Sequence, residues 1–227
     1  MQVVVPFAAE TPKTRLSTIL APGERRSVAR AMLADVLGAI VEADAELEPL
    51  ILSTAPIELD EYDEFTDRAP RPAVAVDDRP LTEAVNAHLA ATAEPVAIVM
   101  ADLALATPEA ITDVVETPGD VVIAPGRGGG TNALVVRHPE FRVDYHGASY
   151  RDHRARAREV GATIETVDSF RLGTDIDEPA DLAEVLLHGR GRTATTLREW
   201  GFELETSDGR VGVDRSAADS ASDSCEN

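Results

Sequence analysis

The residue types best suited to chemistry in this chain fall into four short clusters. The first is Lys13-Thr14-Arg15, two cations one residue apart, and Lys13 is the single lysine among the 21 basic residues of the 227-residue sequence. An ammonium is a compact charge that suits a phosphate, and two cations together suit a triphosphate. The second is Asp102, which closes the apolar run Ala97-Ile98-Val99-Met100-Ala101. A lone carboxylate delivered by such a run is a usual ligand for Mg²⁺, though a turn or cap acid would read the same way. The third, Gly126-Arg127-Gly128-Gly129-Gly130-Thr131-Asn132, is glycine-rich. It suits either a backbone nest for an anion or a plain hairpin connection. The fourth is Gly173-Thr174-Asp175-Ile176-Asp177-Glu178-Pro179. Extended backbone there sets Asp175 and Asp177 on one side. Acid-x-acid pairs arise by chance in so acidic a chain, so the weight of this one comes from its place before a Pro-led helix.

These clusters need a scaffold that gathers them, and the hydrophobic pattern supplies one. Val3-Val4-Val5, Leu50-Ile51-Leu52, Ala73–Val76, Val96–Met100, Val121-Val122-Ile123, Leu134-Val135-Val136 and Ile164–Val167 read as buried strands. Between them fall helical patterns over Pro22–Ala43, Leu81–Thr92, Tyr150–Val160 and Pro179–Leu187. Another helix starts at Thr107-Pro108-Glu109, where a hydroxyl can cap and a carboxylate meets the first turn. Ser149 is expected to cap the helix at Tyr150, and Gly161 to end it. The fold class is therefore α/β: a mainly parallel sheet covered by helices on both faces, with ligands at the carboxyl ends of the strands. Residues 1–204 are expected to form a single domain. Residues 205–227, rich in Ser, Asp, Gly and Ala, read as an acidic tail that buries too little apolar surface to order itself.

Composition sets the limits. With 41 acidic against 21 basic residues the formal net charge is −20, which argues against nucleic acid or anionic lipid as partners. Acid enrichment, the near-absence of lysine and abundant alanine fit a very salty cytoplasm, where a Debye length of about 3 Å at 1 M salt screens self-repulsion. The one cysteine, Cys225, excludes an intrachain disulfide. No signal peptide and no apolar stretch long enough for a membrane span is read, so a cytoplasmic location is expected. The absence of a GxxxxGK[ST] loop, an HExxH motif and a GxSxG elbow argues against P-loop hydrolases, zinc hydrolases and serine hydrolases.

In order along the chain, Lys13-Thr14-Arg15-Leu16-Ser17, Glu24-Arg25-Arg26, Leu81-Thr82-Glu83-Ala84-Val85-Asn86, Ala101-Asp102-Leu103, Gly130-Thr131-Asn132-Ala133-Leu134, Gly147-Ala148-Ser149-Tyr150 with His153, and Asp175-Ile176-Asp177-Glu178-Pro179-Ala180-Asp181-Leu182 resemble the 2-phospho-L-lactate guanylyltransferases. The resemblance covers about residues 1–188. It implies a nucleotide-diphospho-sugar transferase-like, Rossmann-like fold, a homodimer, and the reaction of GTP with a small phosphorylated carboxylic acid. With 2-phospho-L-lactate the products are lactyl-2-diphospho-5'-guanosine and pyrophosphate, a step toward coenzyme F(420). Carried over, Asp102, Asp175 and Asp177 would hold Mg²⁺, and Lys13 and Arg15 would neutralise the triphosphate. Thr131, Asn132, Gly147 and Ser149 would receive the phosphorylated acid, and Asn86 would face the nucleoside. No catalytic acid or base is assigned. The alternatives are a related nucleotidyltransferase using phosphoenolpyruvate, 3-phosphoglycerate or a sugar phosphate, and a non-catalytic nucleotide-binding module.

Overall fold

The computed structural model describes residues 1–215 except 11, 45, 58, 60–70 and 208. Its centre is a seven-stranded sheet. Strand β1 (Gln2–Phe7) leads through a 3-10 turn (Thr14–Thr18) and helix α1 (Pro22–Ala43) to β2 (Glu48–Ser53) and β3 (Ala73–Val76). Helix α2 (Leu81–Ala91), β4 (Val96–Val99), α3 (Pro108–Glu116), β5 (Val121–Pro125) and β6 (Thr131–Val136) follow. Then come α4 (Ser149–Glu159), β7 (Ile164–Thr166), the short α5 (Phe170–Gly173), α6 (Asp181–His188), α7 (Arg192–Glu199), β8 (Phe202–Ser207) and β9 (Arg210–Arg215).

The strand order is β3-β2-β1-β4-β6-β5-β7. Every pairing is parallel except those of β6, which runs against β4 and β5. The glycine-rich segment is thus the connection of an antiparallel hairpin. This has a consequence for the site: the amino end of β6, Thr131 and Asn132, lies on the rim where the parallel strands present their carboxyl ends. Met100 N–H, just past β4, donates to Asn132 C=O at 2.9 Å.

Both faces of the sheet are buried, as continuous apolar strands require. Val3 and Val5 face one core with Val28, Met32 and Ile40 of α1, Ile111 of α3, Val185 of α6 and Leu197 of α7. Val4, one residue out of phase, faces the other with Val85 and Leu89 of α2 and Ala157 of α4. Helix α1 opens as its sequence predicts: Pro22 occupies the first turn, and the Glu24 carboxylate accepts the Ala21 N–H at 2.8 Å. Thr107 caps α3 by accepting from Ala110 N at 3.3 Å. Gly161 ends α4 with φ 73°. Ser149 is not the cap expected of it; it is the first residue of α4, and Ala148 holds the cap position.

The tail does not begin at residue 205. Strands β8 and β9 pair antiparallel, anchored by Phe202 in the core. The Arg215 guanidinium meets the Glu24 carboxylate at 2.6 Å and lies 5.1 Å from the Phe202 ring centroid. Asp35 of α1 accepts from the N–H groups of Arg192 (2.6 Å) and Thr193 (3.0 Å), capping α7 ahead of this hairpin. An apolar anchor and these polar ties order a stretch whose composition alone reads as solvated. Residues 216–227 lie outside the described residues.

Candidate active site

The four clusters converge on the rim formed by the ends of β1 and β4. Lys13 stands in the left-handed region, φ 55° and ψ 45°, and among the described residues it is the one non-glycine with positive φ. That conformation aims its ammonium across the rim. Nζ donates to Asp102 Oδ2 and to Asp177 Oδ1, both at 2.7 Å. Arg15 adds a contact to Asp177 Oδ2 at 3.1 Å. Burial works against the charge on Lys13, but the attraction and hydrogen bonds of Asp102 and Asp177 outweigh it, and the net pKa is raised.

Main-chain contacts hold the two acidic segments together. Ile176 N–H donates to Asp102 C=O at 3.2 Å. Asp181, at the start of α6, accepts from Asp177 N–H (3.0 Å) and Glu178 N–H (2.7 Å), which fixes the turn. Asp175 points to β6, where Asn132 Nδ2 donates to its Oδ1 at 3.1 Å and to Leu172 C=O at 2.9 Å. Gly126 makes room for this amide, since a Cβ there would meet Asn132 Oδ1 at 2.5 Å. Burial raises the pKa of Asp175 despite the Asn132 bond, with added repulsion from Asp102 and Asp177.

This donor set accepts a hard divalent ion only in part. Among the described residues no three carboxylate, imidazole or thiolate groups form a ready cage. Both Asp177 oxygens are engaged by Lys13 and Arg15, so the expected three-aspartate cage is not what the structure presents. Asp102 Oδ1, however, is buried without a hydrogen-bond partner, and Asp175 carries repulsion that a cation would relieve. Mg²⁺ keeps several waters and needs only one or two carboxylates beside substrate phosphates. Asp102 and Asp175 meet that requirement.

Beside the cations opens a cavity of about 460 Å³. Lys13, Arg15, Asp102 and Asp177 line one end, and Asp77 and Arg79, which sequence reasoning did not single out, line it as well. Their signal was their place immediately after the short strand β3. Leu52, Leu81 and Met100 contribute apolar wall.

The remaining expected residues sit elsewhere. Asn86 is outside the cavity lining. Its amide is spent on Val143, accepting the N–H at 2.8 Å and donating to the C=O at 3.0 Å, so it ties α2 to the segment before α4. In this structure Asn86 therefore serves the scaffold, away from the cavity in which the nucleoside was expected. The glycine-rich loop is a hairpin connection more than an anion nest: Gly126 N–H donates to Gly130 C=O, Gly129 N–H to Gly126 C=O and Arg127 N–H to Gly173 C=O, each at 3.0 Å. The start of α4, with Ser149, meets the glycine-rich loop that leads to Thr131, Tyr150 N–H donating to Gly129 C=O at 3.2 Å, and Gly147 stands just before it with φ 53°. Thr131 Oγ1 lies 2.9 Å from His153 Nδ1, and His153 Nε2 accepts the Asp144 N–H at 2.8 Å. Nε2 therefore carries no proton, and Nδ1–H donates to Thr131, whose own hydroxyl proton stays available. Burial holds His153 neutral, its pKa lowered to about 4.

A mixed α/β sheet with cations and carboxylates at the rim beside a nucleotide-sized cavity defines a nucleotidyltransferase-type protein. Solved structures share the fold. A protein from Desulfovibrio desulfuricans described as a nucleotide-diphospho-sugar transferase superposes with TM-score 0.68 at 16% identity, over 87% of this chain and 94% of that one. A nucleotidyl transferase from Methanothermobacter gives TM-score 0.58 at 14% identity, over 87% and 98%. At those identities the likeness concerns the fold alone. Sequence carries it further: the profile of the guanylyl transferase CofC-like family matches residues 1–216, and the chain belongs to that family. It is 61% identical to the 2-phospho-L-lactate guanylyltransferase of Natrialba magadii, over 95% of this chain and 99% of that protein. It is 62% identical to that of Haloterrigena turkmenica, over 95% and 97%.

Proposed function

We propose that this chain joins GTP to 2-phospho-L-lactate, giving lactyl-2-diphospho-5'-guanosine and pyrophosphate on the route to coenzyme F(420). The observation that carries this reading is the meeting of Lys13, Arg15, Asp102, Asp175 and Asp177 at one rim beside the 460 Å³ cavity. GTP takes the cavity, with its phosphates toward Lys13 and Arg15. The acid enters from the flank of Thr131, Gly147 and Ser149, and Asp102 and Asp175 lie between the two. A phosphate oxygen of the acid, already ionised near neutral pH, forms a bond to the α-phosphorus. The bond from that phosphorus to the bridging oxygen breaks, and its electron pair leaves on pyrophosphate. No proton must be removed, so positioning and charge compensation suffice. Lys13 and Arg15 stabilise the negative charge that gathers on the leaving group. Asn132 holds Asp175 in place, and His153 orients the Thr131 hydroxyl toward an anionic oxygen. Mg²⁺, when bound by Asp102 and Asp175, would supply further charge compensation between the two phosphates.

No helix among the described residues is long and apolar enough to cross a membrane. We further propose a cytoplasmic homodimer adapted to high salt, with no membrane or nucleic-acid partner; the charge of −20 supports the salt adaptation and the repulsion of anionic partners. Light scattering in molar KCl checks the dimer. The reaction is tested by pyrophosphate release from purified protein in molar KCl with Mg²⁺, each nucleoside triphosphate, and 2-phospho-L-lactate, phosphoenolpyruvate or 3-phosphoglycerate. Release with GTP and phospholactate is expected. Release with another acid alone would replace the substrate, and no release with any pair would refute the reading.

A further inference from the structure

The Lys13 ammonium stands between two uses that exclude each other. It lines the cavity that the phosphates would enter, yet two of its three N–H groups go to Asp102 Oδ2 and Asp177 Oδ1, both at 2.7 Å. A point between carboxylate oxygens from distant segments is also where a divalent cation gathers ligands. Ammonium and metal are therefore rivals for the same oxygens, and phosphates are rivals of those oxygens for the ammonium.

Exposure decides which cation holds Asp177. Its Oδ2 meets Arg15 at 3.1 Å, but the Arg15 side chain is 67% exposed, and molar salt largely screens such a pair. The Lys13 side chain is 10% exposed, so its contact persists. Both carboxylates are anchored through their main chain, Asp102 C=O to Ile176 N–H and Asp177 N–H to the Asp181 carboxylate. Freeing Asp177 thus requires no backbone movement. Rotation of the flexible four-carbon lysine stem suffices.

Charge points the same way. Three carboxylates, Asp102, Asp175 and Asp177, face the two cations Lys13 and Arg15. With the ammonium in place, Asp102 keeps only its buried Oδ1 without a partner. Once the ammonium moves onto a triphosphate, an oxygen of Asp102 and one of Asp177 come free together, and the rim becomes more negative by one charge.

We infer that Lys13 is an internal counter-ion that keeps Asp177 out of the metal site until the phosphates of GTP draw the ammonium away, so that the protein binds Mg²⁺ fully only together with nucleotide. Metal and GTP then raise each other's affinity by one common factor, and Lys13 carries that coupling. This rests on the proposed use of the cavity for GTP with Mg²⁺ at the rim, and the experiment separates the two.

Mn²⁺ binding is measured by calorimetry in molar KCl without nucleotide. A cation in contact with a carboxylate shifts its proton equilibrium by about 10- to 1000-fold, and a hydrated ion at a partly exposed rim belongs in the lower part of that range. Lys13→Met should therefore bind Mn²⁺ about 10- to 100-fold more tightly than the unaltered protein. Adding Asp177→Asn should weaken Mn²⁺ binding far more in the Lys13→Met protein than in the unaltered one, where Asp177 is already taken. The unaltered protein has a readout of its own: Lys13 is the single lysine, so lysine carrying ¹³C at Cε gives one side-chain NMR signal. That signal should move when GTP is added in EDTA, as the ammonium passes from carboxylates to phosphates. Equal Mn²⁺ affinity of the unaltered and Lys13→Met proteins overturns the inference and leaves the proposed reaction standing. So does a Lys13 signal that stays in place while GTP binds, a result that requires no variant to fold. Absence of GTP binding by the unaltered protein instead removes the cavity assignment, and the inference with it.

Discussion

Replacing Lys13 separates two opposing effects that one residue combines. Its ammonium bridges two carboxylates while its backbone sits in a conformation that L-residues with a Cβ disfavour. The Lys13 side chain is 10% exposed, against 26% for Asp102 and 36% for Asp177. Breaking a fully buried ion pair costs about 3–5 kcal/mol and an exposed one about 0–1 kcal/mol. A half-covered bridge of this kind should then be worth about 2 kcal/mol. The left-handed conformation costs a non-glycine about 1–2 kcal/mol, part of which glycine returns as unfolded-state entropy. Lys13→Met keeps the strain and loses the bridge, for a loss of about 2 kcal/mol. Lys13→Gly loses the bridge but relieves the strain, for a loss of about 1 kcal/mol. Urea unfolding in molar KCl measures both, and molar salt should leave the difference standing because the bridge is largely shielded from solvent ions. Both variants should demand more GTP for half-maximal turnover. The reasoning is refuted if Lys13→Met is as stable as the unaltered protein, or if Lys13→Gly is the weaker of the two.

Two further predictions concern stability against function and pH. Burial, with repulsion from two neighbouring carboxylates, raises the folded pKa of Asp175 above its ordinary value, so its negative charge disfavours the native state. Asp175→Asn should raise the melting temperature and abolish turnover; a lower melting temperature would contradict the electrostatic account. His153 has the opposite pH signature to that of a paired histidine. Its folded pKa of about 4 lies below its ordinary 6.5, so between those values the unfolded chain takes a proton that the native state refuses. Stability should fall by roughly 3 kcal/mol as pH drops through that window. Urea unfolding of His153→Gln at pH 4.5 and pH 7 should show a smaller difference than the unaltered protein does; an equal difference would reject the assignment.

The sequence by itself determined the alternation of strands and helices, because continuous Val, Ile and Leu runs must be buried on both faces and a parallel sheet between helices does that. It also determined the candidate cations and the three aspartates, since each follows such a run or precedes a helix. Tertiary structure decided three things. The reversed direction of β6 brings Thr131 and Asn132 to the same rim as Asp102; strand direction depends on pairing partners distant in the chain, which hydrophobic period does not report. The spending of polar groups was equally hidden: Asn86 on Val143, the glycine-loop donors on neighbouring carbonyls and Asp177 on Lys13 and Arg15 all take up groups the sequence leaves free. Finally, Phe202 and Arg215 order a hairpin in a stretch whose composition suggests a solvated tail, because a single buried ring and an ion pair to Glu24 act across the chain. Local composition measures what a segment offers to water, and only the assembled fold determines what it meets instead.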